Sequence, residues 1–529
     1  MRSKKFRVFA VLFLAALMAF GSAVTVLAEG PAVYDTPQSF TMWCSMDKAA
    51  GAVKDWSENL VFQTMKEKTN VGVEFQHPPV GGEKDAFNLM CASGDYPDVI
   101  QYTWLTVPGG PANYLADGVI IPLNELIDKH APNLKAYLAA HPDINRQIML
   151  DDGTYYVLPS IYEDKELATH QGPVVRADFL AKIGMKPEDF PTTVAGWEEM
   201  LIKVRDSEEL KDVIPYFFAT MTNITESPTI LGAYGITQEF YNDNGTVKYG
   251  AIQPEYKEFL TTMRRWYELG LLDTEFAANT AKLRDEKVTS NRVFAFIGSM
   301  GNSITRYTAM CRNETNPDFQ LLPMPYPTLT EGETPIVGQQ GASYTGAGVA
   351  ISSTCKNPEL VIKYFDYFYS EEGHMLSNWG VQGLTYDYDA NGNPYFLPLV
   401  DKNPDGLSRE QAMAKYTIWQ SQSPVYKRKD VLQQRDSLPE QIEGRKNWLI
   451  CKNEIIMPPV TPTAEEASEF ATIMNDCTTY AVEQATKIIM GTVDLNEGFD
   501  VMVATLKGMG IDRAIELRQA QLERYLARP

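Results

Sequence analysis

The fold class follows from residues 71–100, which read "VGVEFQHPPVGGEKDAFNLMCASGDYPDVI". The first five residues alternate apolar and polar side chains, which is typical of a β-strand. A helical apolar pattern covers Lys84–Ala92 and stops before a glycine, and Pro97–Ile100 begins a further strand. Upstream, Phe40–Trp43 is a predicted strand and Ala52–Lys68 a predicted helix. This alternation of strands and helices predicts an α/β domain whose parallel sheet is covered on both faces.

Later segments carry clear turn and helix-start signals. Asp151–Thr154 reads as a hairpin turn, and we interpret its acidic pair as solvated. Asn357 followed by proline predicts a capped helix start. The segment Thr463–Leu526 predicts three helices, separated at Gly491 and at the pair of glycines 508 and 510.

Size and charge limit the possible classes of protein. The chain has 529 residues, which is enough for two to four domains at roughly 150 residues a domain. An apolar content of 44% indicates a globular protein. The net charge of −21 argues against a general nucleic-acid binder, which needs a basic surface.

The beginning of the chain predicts export. Residues 1–28 read as a signal peptide, with a basic start, an apolar run over Phe9–Phe20 and a small-residue cleavage site at Val26–Ala28. The alternative is an uncleaved membrane anchor. The first cysteine is Cys44, so no lipoprotein cysteine stands at the cleavage site. We therefore expect a periplasmic, extracellular or cell-surface protein.

Motifs for catalysis and for metal binding are missing from the sequence. It contains neither H-E-x-x-H nor G-x-S-x-G, and its six cysteines lack zinc-ligand spacing. Residues 387–393 match the first half of a calcium loop, but Pro398 stands where the bidentate Glu is expected. A hairpin turn is the favoured interpretation of that segment. We expect no catalytic residue, no metal and no cofactor.

Several blocks resemble one family when they are taken in order. That family is the bacterial extracellular solute-binding proteins of family 1, in the long subgroup associated with carbohydrate ABC importers. The resemblance spans nearly the whole chain after residue 28. The blocks that carry it are "ASGDYPDVI" (92–100), "DGVIIPLNELIDKHAPNL" (117–134), "VRADFLAKIGMKPEDFPTTVAGWEEML" (175–201), "CKNPELVIKYFDYFYSEEGHMLSNWGVQGLTY" (355–386) and "LKGMGIDRAIELRQAQLERY" (506–525).

The resemblance implies a two-lobed fold of the type II periplasmic-binding-protein kind. Each lobe would be a mostly parallel sheet flanked by helices, with a helical C-terminal region, and ligand would bind in the cleft between lobes that close about a hinge. We place residues 38–165 and 338–400 in lobe 1, and residues 170–325 and 405–529 in lobe 2. The chain would cross between lobes near 160–173, 322–338 and 399–407.

Candidate ligand-binding residues come from the ends of predicted strands and from the resemblance. Aromatic faces cover the C–H side of a sugar ring, and polar groups bond its hydroxyls. In open α/β sheets the ligand lies beyond the carboxyl ends of strands. The alternative for each aromatic is core packing, and Arg176 could simply pair with Asp178. The candidates are Trp43, Tyr102, Trp104, Ser299, Met300, Asn302, Tyr344, Trp379, Tyr386 and Trp419, to which the resemblance adds Arg176 and Asp178.

The expected function is capture of an oligosaccharide and its delivery, chemically unchanged, to the membrane permease of an ABC importer. We expect a monomer that binds no nucleic acid. Two alternatives stay open: a binder of peptides or other small solutes with the same fold, and an exported polysaccharide-degrading enzyme. The sequence has no clustered basic run, which disfavours a highly anionic glycan.

Overall fold

A computed structural model describes residues 30–46, 49–218, 228–314, 316–436 and 438–529. The predicted signal peptide at 1–28 lies outside the described residues. Within them, strands and helices alternate, as the predicted α/β class requires. No helix in these ranges is both long enough and apolar enough to cross a membrane.

The strands, in chain order, are β1 (Gln38–Trp43), β2 (Val71–Gln76), β3 (Val99–Thr103), β4 (Leu158–Tyr162), β5 (Gln171–Arg176), β6 (Ile214–Phe217), β7 (Phe240–Asp243), β8 (Thr246–Tyr249), β9 (Val293–Ser299), β10 (Leu321–Pro323), β11 (Tyr344–Ile351), β12 (Tyr386–Tyr388), β13 (Pro394–Phe396) and β14 (Val425–Lys427).

The helices are α1 (Leu60–Thr69), α2 (Glu83–Ser93), α3 (Gly110–Ala116), α4 (Asn124–His130), α5 (Pro132–Ala140), α6 (Pro142–Ile148), α7 (Lys165–Ala168), α8 (Ala177–Lys182), α9 (Val194–Arg205), α10 (Pro254–Glu268), α11 (Ala281–Thr289), α12 (Arg306–Cys311), α13 (Pro358–Asp366), α14 (Glu371–Trp379), α15 (Pro398–Asp401), α16 (Arg409–Tyr416), α17 (Lys429–Arg435), α18 (Pro439–Leu449), α19 (Ala464–Ile489), α20 (Leu495–Gly508) and α21 (Ile511–Ala527).

The larger sheet has the strand order β14–β4–β11–β3–β1–β2. β1 runs parallel to β2 and β3, which confirms the parallel arrangement expected from residues 40–100. β11 is antiparallel to both of its neighbours, β3 and β4. Six consecutive residues of β11, from Gly346 to Ile351, are buried, because helices cover both faces of the sheet.

The second sheet has the order β10–β5–β9–β6 and is mixed. Only β6 and β9 are parallel, whereas β5 is antiparallel to β9 and to β10. The sequence predicts a mostly parallel sheet here. The difference arises because β5 enters directly from the connection that leaves the first sheet, in the direction opposite to β9.

Helix starts and ends follow the capping signals in the sequence. The Asn357 side chain accepts a hydrogen bond from the Leu360 N–H at 3.1 Å, with Pro358 in the first turn of α13. The three helices expected at the C-terminus are α19, α20 and α21. Gly510 has φ 99° just before α21, a conformation that favours glycine.

The third connection between the sheets lies later in the chain than expected. The expectation from the sequence is that residues 405–529 belong to lobe 2. In the structure β14 extends the larger sheet, and Ala414 and Ile418 pack into its core. The chain reaches the second sheet only with α18, whose Trp448 belongs to the same core cluster as Val174 and Phe296. The physical reason is that β14 completes an edge of the first sheet before the chain leaves it.

The segment that resembles half of a calcium loop is a hairpin turn, as the favoured interpretation predicted. It joins the antiparallel strands β12 and β13. The carboxylate of Asp389 accepts hydrogen bonds from the backbone N–H groups of Asn391 and Asn393, both at 2.8 Å. The carboxylate therefore closes the turn.

Asp151, which the sequence predicts to be solvated, instead forms ion pairs with the end of α21. Its carboxylate accepts hydrogen bonds from Nε of Arg524 at 2.6 Å and from Nε of Arg528 at 2.8 Å. The Arg528 side chain is fully buried and also donates to Thr461 Oγ1. Because α21 packs in the second core and Asp151 lies beside the first, these pairs join the two halves of the molecule.

Candidate functional site

Two adjoining cavities form a continuous cleft. The larger encloses about 650 Å³ and the smaller about 360 Å³, volumes in the range of small-molecule sites. Both are lined by Tyr162, Gln420 and Lys427, so they meet at these three residues. We call the two cavities together the cleft.

The cleft lies at the edges of both sheets where functional residues are expected. The larger cavity is lined by the carboxyl ends of β1, β3, β4 and β14 and by the start of the antiparallel β11. The smaller one reaches the second sheet, where Ser299 at the end of β9 pairs in register with Gln171. A π-helical turn, Met300–Thr305, follows β9 and presents Met300 and Asn302. This position matches the rule that ligands bind beyond the carboxyl ends of strands.

Half of the residues predicted from the sequence line the cleft. Trp43 and Tyr102 lie in the larger cavity and pack against each other, with ring centroids 6.0 Å apart. The smaller cavity contains the rest of this group, namely Ser299, Met300, Asn302 and Trp419.

Three predicted aromatic residues lie in the core near strand ends or turns. Trp104 is fully buried, edge-on to Phe87 and Tyr114 at 5.9 and 5.8 Å. Trp379 is also fully buried, with Phe396 at 4.6 Å and the predicted Tyr386 at 6.0 Å. Neither tryptophan nor Tyr386 lines the cleft, because neighbouring rings cover them.

Three further predicted residues are also outside the cleft. The Tyr344 hydroxyl is buried and lies 3.1 Å from the Tyr156 hydroxyl. The buried Arg176 guanidinium lies 4.2 Å from the ring centres of Phe179 and Phe319, and its Nε donates to Asp178 at 2.9 Å. Arg176 and Asp178 thus form a structural ion pair, which is the alternative to a role in ligand binding.

Several residues of the cleft are not predicted from the sequence. Tyr162 and Lys427 stand opposite each other in the register of β4 and β14. β14 has only three residues, which is too short for an alternating pattern to reveal it. Trp56 belongs to the core of the larger sheet and also lines the larger cavity, and its indole Nε1 donates to the Ser45 carbonyl at 2.9 Å.

The polar groups of the cleft are mostly neutral donors and acceptors. Gln101, Gln420, Ser421 and Gln422 line the larger cavity, and the Gln101 amide is held by a 2.9 Å hydrogen bond to Ser423. Amides and hydroxyls of this kind exchange hydrogen bonds with sugar hydroxyls, while the aromatic rings cover C–H surfaces. The arrangement is suited to binding a polar, uncharged ring system.

The charged lining residues are few. Glu83 lines the larger cavity, Glu410 and Arg435 line the smaller one, and Lys427 lines both. The backbone N–H of Gly81 donates to Glu83 Oε1 at 2.9 Å, and this hydrogen bond lowers the pKa of the Glu83 carboxyl. Glu83 is therefore ionised at neutral pH.

The partly buried His374, on α14, should make the stability of the protein depend on pH. Its ring packs 4.6 Å from that of Tyr426, and its Nε2 is buried without a hydrogen-bond partner in the described structure. Burial, with a smaller contribution from the Arg428 guanidinium, lowers the pKa of His374 to about 4. The unfolded chain takes up this proton near pH 6.5.

Between pH 6.5 and 4 the unfolded state therefore binds more protons at His374, and stability falls as the pH falls through this range. We expect His374→Phe to reduce the loss of unfolding free energy between pH 7 and pH 4 by about 2–3 kcal/mol. Urea unfolding at both pH values measures the difference. An identical loss in wild type and variant would contradict the assignment.

Comparison with known proteins places the chain in a family. The model of the bacterial extracellular solute-binding proteins matches residues 49–375. The fructooligosaccharide ABC transporter substrate-binding protein FusA of Streptococcus pneumoniae serotype 4 is 24% identical over 501 residues, covering 90% of this chain and 88% of FusA.

Solved structures agree with this result. Alginate-binding protein AlgQ2 without calcium superposes with a TM-score of 0.70 at 25% identity, covering 94% of this chain and 100% of that one. FusA in complex with kestose gives a TM-score of 0.72 at 21% identity, covering 93% and 100%. The two-lobed fold and the family expected from the sequence are thus confirmed. The chain belongs to the bacterial extracellular solute-binding proteins.

Proposed function

We propose that the protein is the substrate-binding component of an ABC importer, and that it captures an oligosaccharide in the cleft and delivers it to the membrane permease. The observation that carries this proposal is the cleft itself. It extends from the strand ends of one sheet to those of the other, and it combines aromatic rings with amides and hydroxyls. A ligand that touches both sheets stabilises the closed arrangement of the lobes.

Similarity to characterised proteins supports an oligosaccharide as the ligand. FusA is named for fructooligosaccharides and for an ABC transporter, and AlgQ2 is named for alginate. The cleft is also long enough for more than one sugar ring, because two cavities adjoin. We further propose that the protein acts as a monomer outside the cytoplasmic membrane.

The described carboxylates of the cleft favour binding without hydrolysis. Each cavity has one among its described lining residues, Glu83 in the larger and Glu410 in the smaller. A glycosidase needs a carboxylic acid with a raised pKa beside a second carboxylate. The pKa of Glu83 is instead lowered by the Gly81 N–H. We therefore propose that the sugar leaves the cleft chemically unchanged.

A thermal-shift panel tests the proposed function. Oligosaccharides of two to five units and peptides of similar size are added separately to the purified protein. A bound ligand at 100 times its Kd should stabilise the folded protein by about 2.7 kcal/mol. We expect at least one oligosaccharide, and no peptide, to raise the melting temperature.

The site is tested with Tyr162→Ala, because Tyr162 lines both cavities. Losing this ring should weaken the affinity for that oligosaccharide by about 1–3 kcal/mol. Tyr388→Ala is the matched control, since Tyr388 is an exposed tyrosine on β12 and not a cleft residue. Stabilisation by peptides alone would contradict the proposed ligand, and equal affinity in all three proteins would contradict the proposed site.

A further inference from the structure

Lys427 occupies the centre of the cleft. It ends β14, where its carbonyl accepts a hydrogen bond from the Glu163 N–H at 3.1 Å, and it lines both cavities. The residue is only 6% exposed, so its aliphatic stem is buried. Its ammonium lies 4.9 Å from the centre of the Tyr162 ring. The side chain is therefore fixed, and its charge is directed to the point where the cavities meet.

The Lys427 ammonium has no carboxylate partner among the described residues, in contrast to the cations around it. Arg428 pairs with Asp430, with its Nε donating at 2.9 Å, and Lys429 lies 3.7 Å from Asp164. Buried lysines are rare unless they are paired.

Lys287 offers a direct comparison. It is 7% exposed, almost as buried as Lys427, and its Nζ donates to Asp273 at 2.6 Å. A lysine that is buried to the same degree elsewhere in this molecule thus has its counter-charge supplied by the protein. At Lys427 we therefore expect the counter-charge to come from a ligand bound in the cleft.

A second cation extends the positive region into the smaller cavity. The Arg435 guanidinium lies over the Trp419 ring, 5.2 Å from its centre. Its neighbour Asp436 is engaged by Arg445, so Arg435 keeps only a 3.4 Å contact to that carboxylate. The single carboxylate among the described lining residues of this cavity is Glu410, which is exposed.

This region is positive in a chain of net charge −21. Lys427 and Arg435 come from different elements, β14 and α17. Lys427 is the first of three consecutive basic residues, and the other two, Arg428 and Lys429, each lie beside a carboxylate. A local positive potential inside a concave site attracts and orients a negative group. The pattern fits a ligand with one or a few acidic groups better than a polyanion.

We infer that the oligosaccharide carries an acidic group, a sugar carboxylate or sulfate, which pairs with Lys427 and is supported by Arg435. This inference rests on the proposed function and specifies the chemical class of the ligand. The neutral amides and rings of the larger cavity then hold the adjoining uncharged part of the sugar.

Matched pairs of probes test the inference. Trigalacturonate is compared with its methyl ester, and 6-O-sulfated N-acetyllactosamine with unsulfated N-acetyllactosamine, so that the carboxylate and the sulfate are each tested against an uncharged counterpart. Affinities are measured by calorimetry at 20 and 200 mM NaCl. We expect an acidic probe to bind at least tenfold more tightly than its neutral counterpart, with the advantage reduced at high salt.

Substitutions at Lys427 test whether this residue causes the preference for the acidic probe. Lys427→Met should weaken binding of the acidic probe by about 10–100-fold and of the neutral probe less than threefold. Lys427→Arg keeps the charge and should retain the preference for the acidic probe. A retained preference would show that the loss in Lys427→Met comes from the missing charge and not from a general intolerance of substitution at this position. Lys429→Met is the matched control, since its ammonium faces Asp164 and it does not line the cleft, and it should bind as wild type does.

The remaining outcomes would overturn the inference, the proposed function or both. Tighter binding of neutral probes than of acidic ones, or equal losses for both in Lys427→Met, overturns the inference while the proposed function stands. If none of these probes binds while an uncharged oligosaccharide of the thermal-shift panel does, the inference is overturned and the proposed function stands. If no oligosaccharide of that panel binds either, the proposed function fails as well.

Discussion

Asp151→Ala is expected to lower the free energy of unfolding by about 3–5 kcal/mol, because it leaves a buried charge without its partner. The Arg528 side chain is fully buried and donates to Asp151 from Nε at 2.8 Å, and Arg524 donates to the same carboxylate at 2.6 Å. Arg524 keeps a second partner in Glu466, whereas Arg528 keeps only neutral acceptors such as Thr461.

The adjacent aspartate is the matched control for this variant. Asp152 belongs to the same turn but is exposed, and its carboxylate only accepts a hydrogen bond from the Thr154 N–H at 2.9 Å. Asp152→Ala should cost less than about 1 kcal/mol. Thermal and urea unfolding of both variants give the comparison. Equal stability of the two would show that the ion pairs between the C-terminal helix and the first half contribute little.

Trp104→Ala is expected to reduce mainly the stability of the protein, and Tyr102→Ala mainly its affinity for ligand, although the two residues are only two positions apart. Trp104 is fully buried between Phe87 and Tyr114, so its loss should destabilise the protein by about 3–5 kcal/mol. It does not line the cleft, and ligand affinity of the folded protein should stay within about threefold of wild type.

Tyr102 stacks one face on Phe87, with ring centroids 4.1 Å apart, and lines the larger cavity. Tyr102→Ala should therefore weaken ligand binding by about 1–3 kcal/mol and cost less stability than Trp104→Ala. Calorimetric titration and thermal unfolding of the same samples separate the two properties. Loss of affinity in Trp104→Ala with affinity retained in Tyr102→Ala would reverse the assignment of these residues.

The fold class could be predicted because it depends on local patterns. The alternation at Val71–Phe75, the helix over Lys84–Ala92 and the cap at Asn357 are features of a few consecutive residues, and the structure retains them. The second sheet was less predictable. The direction of β5 depends on where the chain enters that sheet, which its own residues do not encode.

The site could be predicted only in outline. The rule about strand ends correctly located the edge of the sheet, but it could not separate Tyr102 from Trp104, because a turn after β3 directs the second ring into the core. Lys427 was missed because its role depends on the lack of a neighbouring carboxylate in three dimensions. The pairing of Asp151 with Arg528 spans 377 positions and has no local signal.

Native mass spectrometry of the purified protein with an oligosaccharide panel tests the central claim most directly. The account predicts a complex with one intact oligosaccharide per protein chain, whose released sugar has the mass that was added. The complex should be depleted in the double variant Tyr102→Ala/Tyr162→Ala. Recovery of shortened sugars, or no complex with any oligosaccharide, would contradict the account.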